Sequence, residues 1–341
     1  STPKPSSAAS DVYKRQELFK TQKFYQIDIS ILKDLGYDVL LSNRIFDSLL
    51  FWKYDILFSY FYRYSFFAAL LAKCFGKKTY FTGGIDSLDS DYASAFNYKI
   101  QALFFKLCYW VADSCIIVSQ SDLKNIFKVS SLKKKLSYSE HVINTKLFIA
   151  DVPKEKIFTS IVWMGDEGNV VRKGVDKALQ IFAELKKIPE FVDYRFVIIG
   201  RKGEGEVLVR SIIDKYNLKG SVELKGEVSE EDKINLLKQS KYYFQLSLYE
   251  GFGLAALEAL CANNIIIHSG KGGLANPIYK EQLLFDIDND FDSELLKLVN
   301  KLACFTPITS YDNLLEYYDI QRRKDDFEAI IVNGKSNYKL K

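Results

Sequence analysis

Short apolar runs alternate along this chain with stretches whose apolar positions recur every three or four residues, the pattern of strands and amphipathic helices laid down in turn. Asp55-Ile56-Leu57-Phe58, Thr79-Tyr80-Phe81-Thr82 and Ser114-Cys115-Ile116-Ile117-Val118-Ser119 read as strands, and Val39-Leu40-Leu41 as a further short one. Between them, residues 17–35 read as a helix closed by Gly36, residues 93–112 as a long aromatic helix and residues 120–127 as a helical step. The second half continues the alternation. Strand 161–164 precedes Gly165, strand 195–199 precedes Gly200, a helix spans 207–216, strand 222–224 precedes Gly226, and a helix spans 230–239. Strands interleaved with helices predict an α/β protein, with parallel sheets covered by helices rather than a sandwich or a bundle. Each glycine falls where a strand meets its loop, and that carboxyl edge is where open α/β sheets bind ligands.

Length divides this pattern in two, since 341 residues exceed one typical core and point to two domains of about 150 residues each. Residues 1–16 are polar and rich in Ser and Ala, and read as a tag or assembly scar outside the fold. Five cysteines without a CxxC pair or metal-ligand spacing are those of a reduced, cytoplasmic compartment. Histidines only at 141 and 268 give a histidine-based zinc site too few ligands, and no metal or cofactor is expected. The apolar runs 65–71 and 100–112 fall short of the roughly 18 uncharged residues of a spanning helix.

Charge is uneven: residues 1–150 carry 20 Lys and Arg against 13 Asp and Glu, the rest 27 against 30. In the basic half Lys73, Lys77-Lys78 and Lys133-Lys134-Lys135 lie among many Phe and Tyr. One reading is peripheral contact with anionic head groups at the inner face of the membrane, and the other is a solvated surface. No nucleic-acid partner is expected.

The strongest chemical signal is Glu250-Gly251-Phe252-Gly253-Leu254-Ala255-Ala256-Leu257-Glu258-Ala259, two carboxylates around a glycine-bracketed turn into a helix. The first amides of a helix have no intrahelical partner, so a diphosphate can take them while the helix dipole favours its charge. With a helix starting near Leu254, Glu250 lies on the loop before it and Glu258 roughly 6 Å along its axis. An ordinary helix with a solvated Glu258 is the simpler alternative.

This stretch resembles the E-x7-E signature of the retaining glycosyltransferases of the GT-B fold, group 1 or family 4. Lys241 to Tyr249 is similar to the strand and loop that deliver the first acid, and Asn263 to Gly273 to the following strand and glycine turn. The resemblance spans about 17–332, specific in the second domain and generic in the first. It implies two Rossmann-like domains facing across a cleft: an acceptor-binding domain at 17–152, a nucleotide-sugar-binding domain at 153–318, and a closing helix within 319–341 that crosses back to the first domain. The first strand and glycine-rich loop of such an acceptor domain are not visible, so that domain is expected to lack its first strand.

The implied activity is transfer of a sugar from a nucleotide-diphosphate sugar to a saccharide or lipid-linked acceptor, with retention, in cell-surface polysaccharide synthesis. Glu258 matches the carboxylate that binds the donor ribose, Glu250 the one near the transferred sugar, and Lys173 the lysine that grips the diphosphate. Arg172 stands in for an arginine that usually precedes the lysine by several residues. Gly165, Gly200, Val228, Phe252, Gly253 and Leu254 fall on the donor side, and Gly84 and Asp86 on the acceptor side. Departures from the pattern are the segment Thr82-Gly83-Gly84-Ile85-Asp86, which has no histidine, and Asn263-Asn264 in place of the usual glycine and proline. These leave two further readings open, a non-catalytic nucleotide-sugar-binding or scaffold module of the same fold and a sugar-nucleotide epimerase.

Overall fold

The computed structural model describes residues 19, 22–85, 88–149, 152–305 and 312–334, and among them ten short strands, all paired in parallel, form two sheets. The chain divides into two units, residues 1–143 with 318–341, and residues 144–317. These divisions fall nine residues and one residue before the boundaries expected from the sequence. The expected tag, residues 1–16, lies outside the described residues.

The first unit holds β1 (Ile56–Tyr60), β2 (Lys78–Thr82), β3 (Ser114–Ile117) and β4 (Leu136–Tyr138) side by side in chain order. Helices α1 (Lys23–Asp34), α2 (Tyr62–Cys74), α3 (Ala95–Val111) and α4 (Gln120–Val129) connect and cover them. One core gathers Tyr62, Phe81, Phe105, Cys115 and Ile126. A second gathers Ile31 of α1 and Tyr80 and Ile116 of the strands with Phe327, Ile330 and Ile331, which come from the far end of the chain.

The second unit holds β5 (Glu155–Ile161), β6 (Arg195–Ile199), β7 (Val222–Gly226), β8 (Ser240–Gln245), β9 (Ile265–His268) and β10 (Leu283–Leu284), in the order β10-β9-β8-β5-β6-β7. Its helices are α5 (Glu167–Arg172), α6 (Val175–Leu185), α7 (Glu206–Lys215), α8 (Glu230–Gln239), α9 (Leu254–Cys261), α10 (Phe291–Cys304) and α11 (Asp312–Tyr317). Strands such as Phe196-Val197-Ile198-Ile199 are buried along their length, as sheets covered on both faces require. Phe158 stacks on Tyr242 and Phe244, with ring centroids 4.6 and 5.1 Å away, joining β5 to β8 through their side chains. The strand order reverses between β5 and β8. The loops leaving those two strands therefore diverge, and such a switch point is where open α/β sheets hold ligands.

The chain returns to the first unit as α12 (Ile320–Phe327), followed by a π turn at 328–332. Arg323, fully buried, donates to both oxygens of Asp28 on α1, at 2.6 and 2.8 Å. It also donates to the carbonyls of Ser139 and Glu140 after β4, and Tyr60 Oη donates to Asp28 Oδ2 at 2.7 Å. The guanidinium's fork is thus satisfied by a carboxylate and backbone oxygens, the condition for burying an ion pair.

Three elements differ from the sequence reading. Val39-Leu40-Leu41 is not a strand: Leu40 and Leu41 are exposed, and the polar Ser42-Asn43-Arg44 turns the chain, with Arg44 N donating to Ser42 Oγ at 3.0 Å. The strand placed at 161–164 starts earlier, at Glu155, because its exposed first residues Glu155 and Lys156 carry none of the apolar signal. Leu136–Tyr138 pairs with β3 as a short edge strand that three lysines mask in the sequence.

Candidate active site

Beyond β5 the chain stays extended, with Val162 N donating to Ile199 O and Met164 N to Arg201 O, and then turns at Gly165 into α5, capped by Asp166. Arg172 ends α5. Lys173 follows, and Gly174, in the left-handed conformation at φ 68°, separates α5 from α6. The pair therefore sits at a break between two helices. An added Cβ on Gly174 would lie 2.0 Å from Leu246 O, so the break rests directly on the end of β8. That closeness brings Lys173 Nζ to Glu250 Oε2 at 2.7 Å, in the loop after β8.

Arg172 turns the other way. Its Nε and one terminal nitrogen donate to Asn169 Oδ1 at 3.2 and 2.6 Å, and its carbonyl accepts from Leu248 N at 2.8 Å. Its backbone secures the β8 loop while its side chain stays on α5.

Glu250 is held on one edge. Besides Lys173, Gln245 Nε2 and Ser247 Oγ each donate to its Oε2 at 3.1 Å, and Gln245 Nε2 also donates to Ser247 Oγ at 2.8 Å. Tyr243 Oη donates to Gln245 Oε1 at 3.1 Å and accepts from Ile161 N. Burial, with further contributions from Glu258 and Glu250, pushes the Tyr243 hydroxyl well above its ordinary value, so it remains a donor. Among the described residues no hydrogen bond reaches Glu250 Oε1. That oxygen is the acceptor left for a hydroxyl. Gln245 and Ser247 were missed in the sequence; the two-residue spacing of Tyr243, Gln245 and Ser247 across an apolar strand was the available signal.

The loop from Glu250 to Gly253 is clasped from behind. Gly273 N donates to Glu250 O at 2.5 Å, and added Cβ atoms on Gly272 and Gly273 would lie 2.2 Å from Glu250 O and 2.5 Å from Phe252 Cα. Gly253 then adopts φ 89° and opens α9, whose N-terminus has no side-chain cap and no acidic residue in its first turn. Its free amides at Leu254 and beyond are available to an anion. Phe252, before Gly253, is buried.

Glu258 lies inside α9 and is buried, on the side toward α8, where Lys233 Nζ meets its Oε2 at 2.7 Å. The same lysine lies 3.0 Å from Glu230. The two carboxylates thus stand in different surroundings. Lys233 gave no sign in the sequence, because its partner is 25 residues away.

Gly165, Gly200 and Gly226 knit the loops after β5, β6 and β7. Gly200 N donates to Gly226 O at 2.8 Å, and a Cβ on Gly200 would lie 1.9 Å from Val162 O. Gly203 packs 2.7 Å from Gly165 Cα by the same measure, and the Trp163 ring covers Gly165. Val228 packs beside Ile157, Val197, Ile199 and Leu236. In the first unit Gly84 follows β2, and Asp86 lies outside the described residues. Among the described residues no cluster of three or more His, Cys, Asp or Glu forms a metal-binding group, and no helix is long and apolar enough to cross a membrane.

Residues 168–302, which contain Lys173, Glu250 and Glu258, match the family model for glycosyl transferases group 1. The chain is 32% identical over 163 residues to the GDP-mannose:cellobiosyl-diphosphopolyprenol alpha-mannosyltransferase of Xanthomonas oryzae pv. oryzae, covering 42% of this chain and 40% of that protein. It is 27% identical over 129 residues to the GPI3 polypeptide of the phosphatidylinositol N-acetylglucosaminyltransferase of Saccharomyces cerevisiae, covering 38% of this chain and 28% of that one. The match thus spans less than half the length of either relative. In structure it resembles Anabaena HepE in complex with UDP-glucose, with a TM-score of 0.67 at 12% identity over 84% of this chain and 81% of that one. Sucrose-phosphate synthase of Thermosynechococcus elongatus gives a TM-score of 0.59 at 19% identity over 83% and 72%. Residues 168–302 thus carry the sequence family of the group 1 glycosyl transferases, in a chain with the fold of the GT-B glycosyltransferases.

Proposed function

We propose that the protein is a retaining glycosyltransferase that moves a sugar from a nucleotide-diphosphate sugar to a saccharide or lipid-linked acceptor, without a catalytic metal. The observation that carries this reading is Lys173 and Glu250 paired at 2.7 Å beside the uncapped N-terminus of α9. Breaking the bond between the sugar C1 and the β-phosphate oxygen builds negative charge on the diphosphate. A fixed ammonium and unpaired helix amides stabilise such charge where it develops. Glu250, with Oε1 unengaged, accepts a hydroxyl of the transferred sugar, and Glu258 accepts the ribose hydroxyls with Lys233 as its counter-ion. The acceptor oxygen attacks C1 on the face the phosphate leaves, and its proton passes to a phosphate oxygen. No protein base is needed for that step.

The Xanthomonas relative is named for a diphosphopolyprenol acceptor, which supports a lipid-linked acceptor here, and cell-surface polysaccharide synthesis at a cytoplasmic site belongs to the same proposal. The test is calorimetry of UDP, GDP, ADP and their sugars against the full chain, repeated with Glu258→Ala. One nucleotide is expected to bind selectively, and more weakly by about 1.5–3 kcal/mol in the variant, as for a lost hydrogen bond to a charged group. Unchanged affinity in Glu258→Ala overturns the ribose assignment, and a product of inverted anomeric configuration by NMR overturns retention. Donor binding without product from any acceptor would favour the scaffold reading.

A further inference from the structure

Helix α3 carries a stripe that none of the described residues of the first unit covers. Phe96, Leu103 and Trp110 are 71%, 55% and 72% exposed, and Lys99 and Lys106 are exposed between them. Their spacing of three and four residues places all five on one face of the helix, within about 80° of one another at 100° per residue. The seventeen residues of α3 include no Asp or Glu, so nothing on that face offsets the lysines.

The stripe continues past the helix. Lys135 Nζ donates to Trp110 O at 2.9 Å and so brings the loop before β4 against the end of α3. Lys133 and Lys134 are exposed there, with Leu132 beside them 49% exposed. Of the lysines singled out in the sequence, Lys73 and Lys77 are instead engaged by Asp113 and Asp55. Lys78 is exposed at the start of β2, away from α3 in the chain, and the cations next to the stripe are those of α3 and of residues 133–134, with Lys133 Nζ 4.7 Å from the Phe127 ring.

From this arrangement we infer that the exposed face of α3, with Lys133 and Lys134, rests on an anionic bilayer surface. A protein partner covering the stripe would have to bury Lys99 and Lys106 together with the rings between them, and would need a carboxylate for each. A bilayer has no such requirement. Phe96, Leu103 and the Trp110 ring enter the head-group boundary, where amphipathic rings sit well, and the lysine stems reach outward to lipid phosphates. The inference rests on the surface of the first unit and is independent of the transferase reading.

The experiment is co-sedimentation of the full chain with vesicles of phosphatidylcholine alone and of phosphatidylcholine with phosphatidylglycerol. Binding is expected on the anionic vesicles, with release by added salt as the lysine attraction is screened. Lys99→Gln with Lys106→Gln is expected to weaken it about 30-fold, for two surface lysines lost. Phe96→Ser with Trp110→Ser is expected to weaken binding while retaining its salt dependence. Far-ultraviolet circular dichroism and urea unfolding of each variant are expected to match the unsubstituted chain and serve as the folding control. Absence of vesicle binding by the unsubstituted chain overturns the inference, as does binding that neither salt nor the lysine pair alters. Self-association lost in Phe96→Ser/Trp110→Ser, without vesicle binding, would assign the stripe to a second copy of the chain and overturn it equally.

Discussion

Replacing Gly272 by Ala tests whether the site's geometry depends on the turn behind Glu250. At φ 57° the residue is left-handed, and the added Cβ would lie 2.2 Å from Glu250 O, 3.0 Å from Glu250 N and 3.1 Å from Glu250 C. These are backbone atoms of the loop, so no flexible side chain can swing aside. The left-handed conformation costs an alanine about 1–2 kcal/mol, and overpacking against fixed atoms about 1–3 kcal/mol more. The expected loss is therefore about 2–5 kcal/mol. Gly220→Ala is the control in the same unit: φ is 83°, and nothing lies within 4 Å of its Cβ. It carries the backbone cost without the clash, and both variants gain equally from the stiffer unfolded chain.

Urea unfolding followed through Trp163, with Trp52→Phe and Trp110→Phe in the background, reads the second unit alone, because the chain has three tryptophans. If the loop yields instead of the fold, Glu250 moves, and a displacement near 1 Å at a reacting centre costs on the order of 100-fold in turnover. Gly272→Ala that matches Gly220→Ala in both stability and turnover refutes the reasoning.

Asp28→Asn leaves the fully buried Arg323 without its counter-ion and is expected to destabilise the first unit by about 3–5 kcal/mol, whereas Asp28→Leu with Arg323→Met should recover most of that loss in urea titrations. A single variant as stable as the parent would remove the pair from the account of how α12 is anchored. The two histidines, one in each unit, predict acid sensitivity. Burial, followed by the Arg323 charge, lowers His141 to about 3, and burial lowers His268 to about 4. In the unfolded chain both protonate near 6.5, so from there down to about 4 the unfolded state binds more protons. Stability should fall with falling pH by about 1.4 kcal/mol per unit for each histidine. His141→Phe should flatten the slope of the first unit between pH 6.5 and 4, and an unchanged slope there would rule its protonation out as the cause.

The sequence pattern located elements best where apolar residues run uninterrupted or a capping pair marks a boundary. Strand 195–199 and helix 230–239 sit where expected, the helix because Ser229 accepts from Asp232 N at 3.0 Å and marks its start. Strand β4 is short and preceded by lysines, and β5 begins with two exposed charged residues, so neither start shows in hydropathy. Strand order is another matter. The reversal that places β8 beside β5 is a long-range pairing of residues about 80 apart, which local periodicity does not register.

The site shows the same division between local and long-range information. Gly253 opening α9 follows from the turn chemistry of Glu250-Gly251-Phe252-Gly253, and the carboxylates of an E-x7-E pattern can be picked out by eye. Equal letters did not mean equal surroundings. Glu250 precedes the helix, where β8 delivers Gln245 and Ser247 and the α5–α6 break delivers Lys173, so three donors converge on one oxygen and leave the other. Glu258 lies inside the helix, where the neighbouring α8 sets its environment through Lys233. Each carboxylate thus faces a lysine at 2.7 Å, and they differ in the rest of their shells: half-buried Glu250 also receives Gln245 and Ser247, whereas Glu258 is buried against α8. On the proposed transferase reading, the loop carboxylate takes a hydroxyl of the transferred sugar beside the developing diphosphate charge, and the helix carboxylate holds the ribose away from the reacting bond.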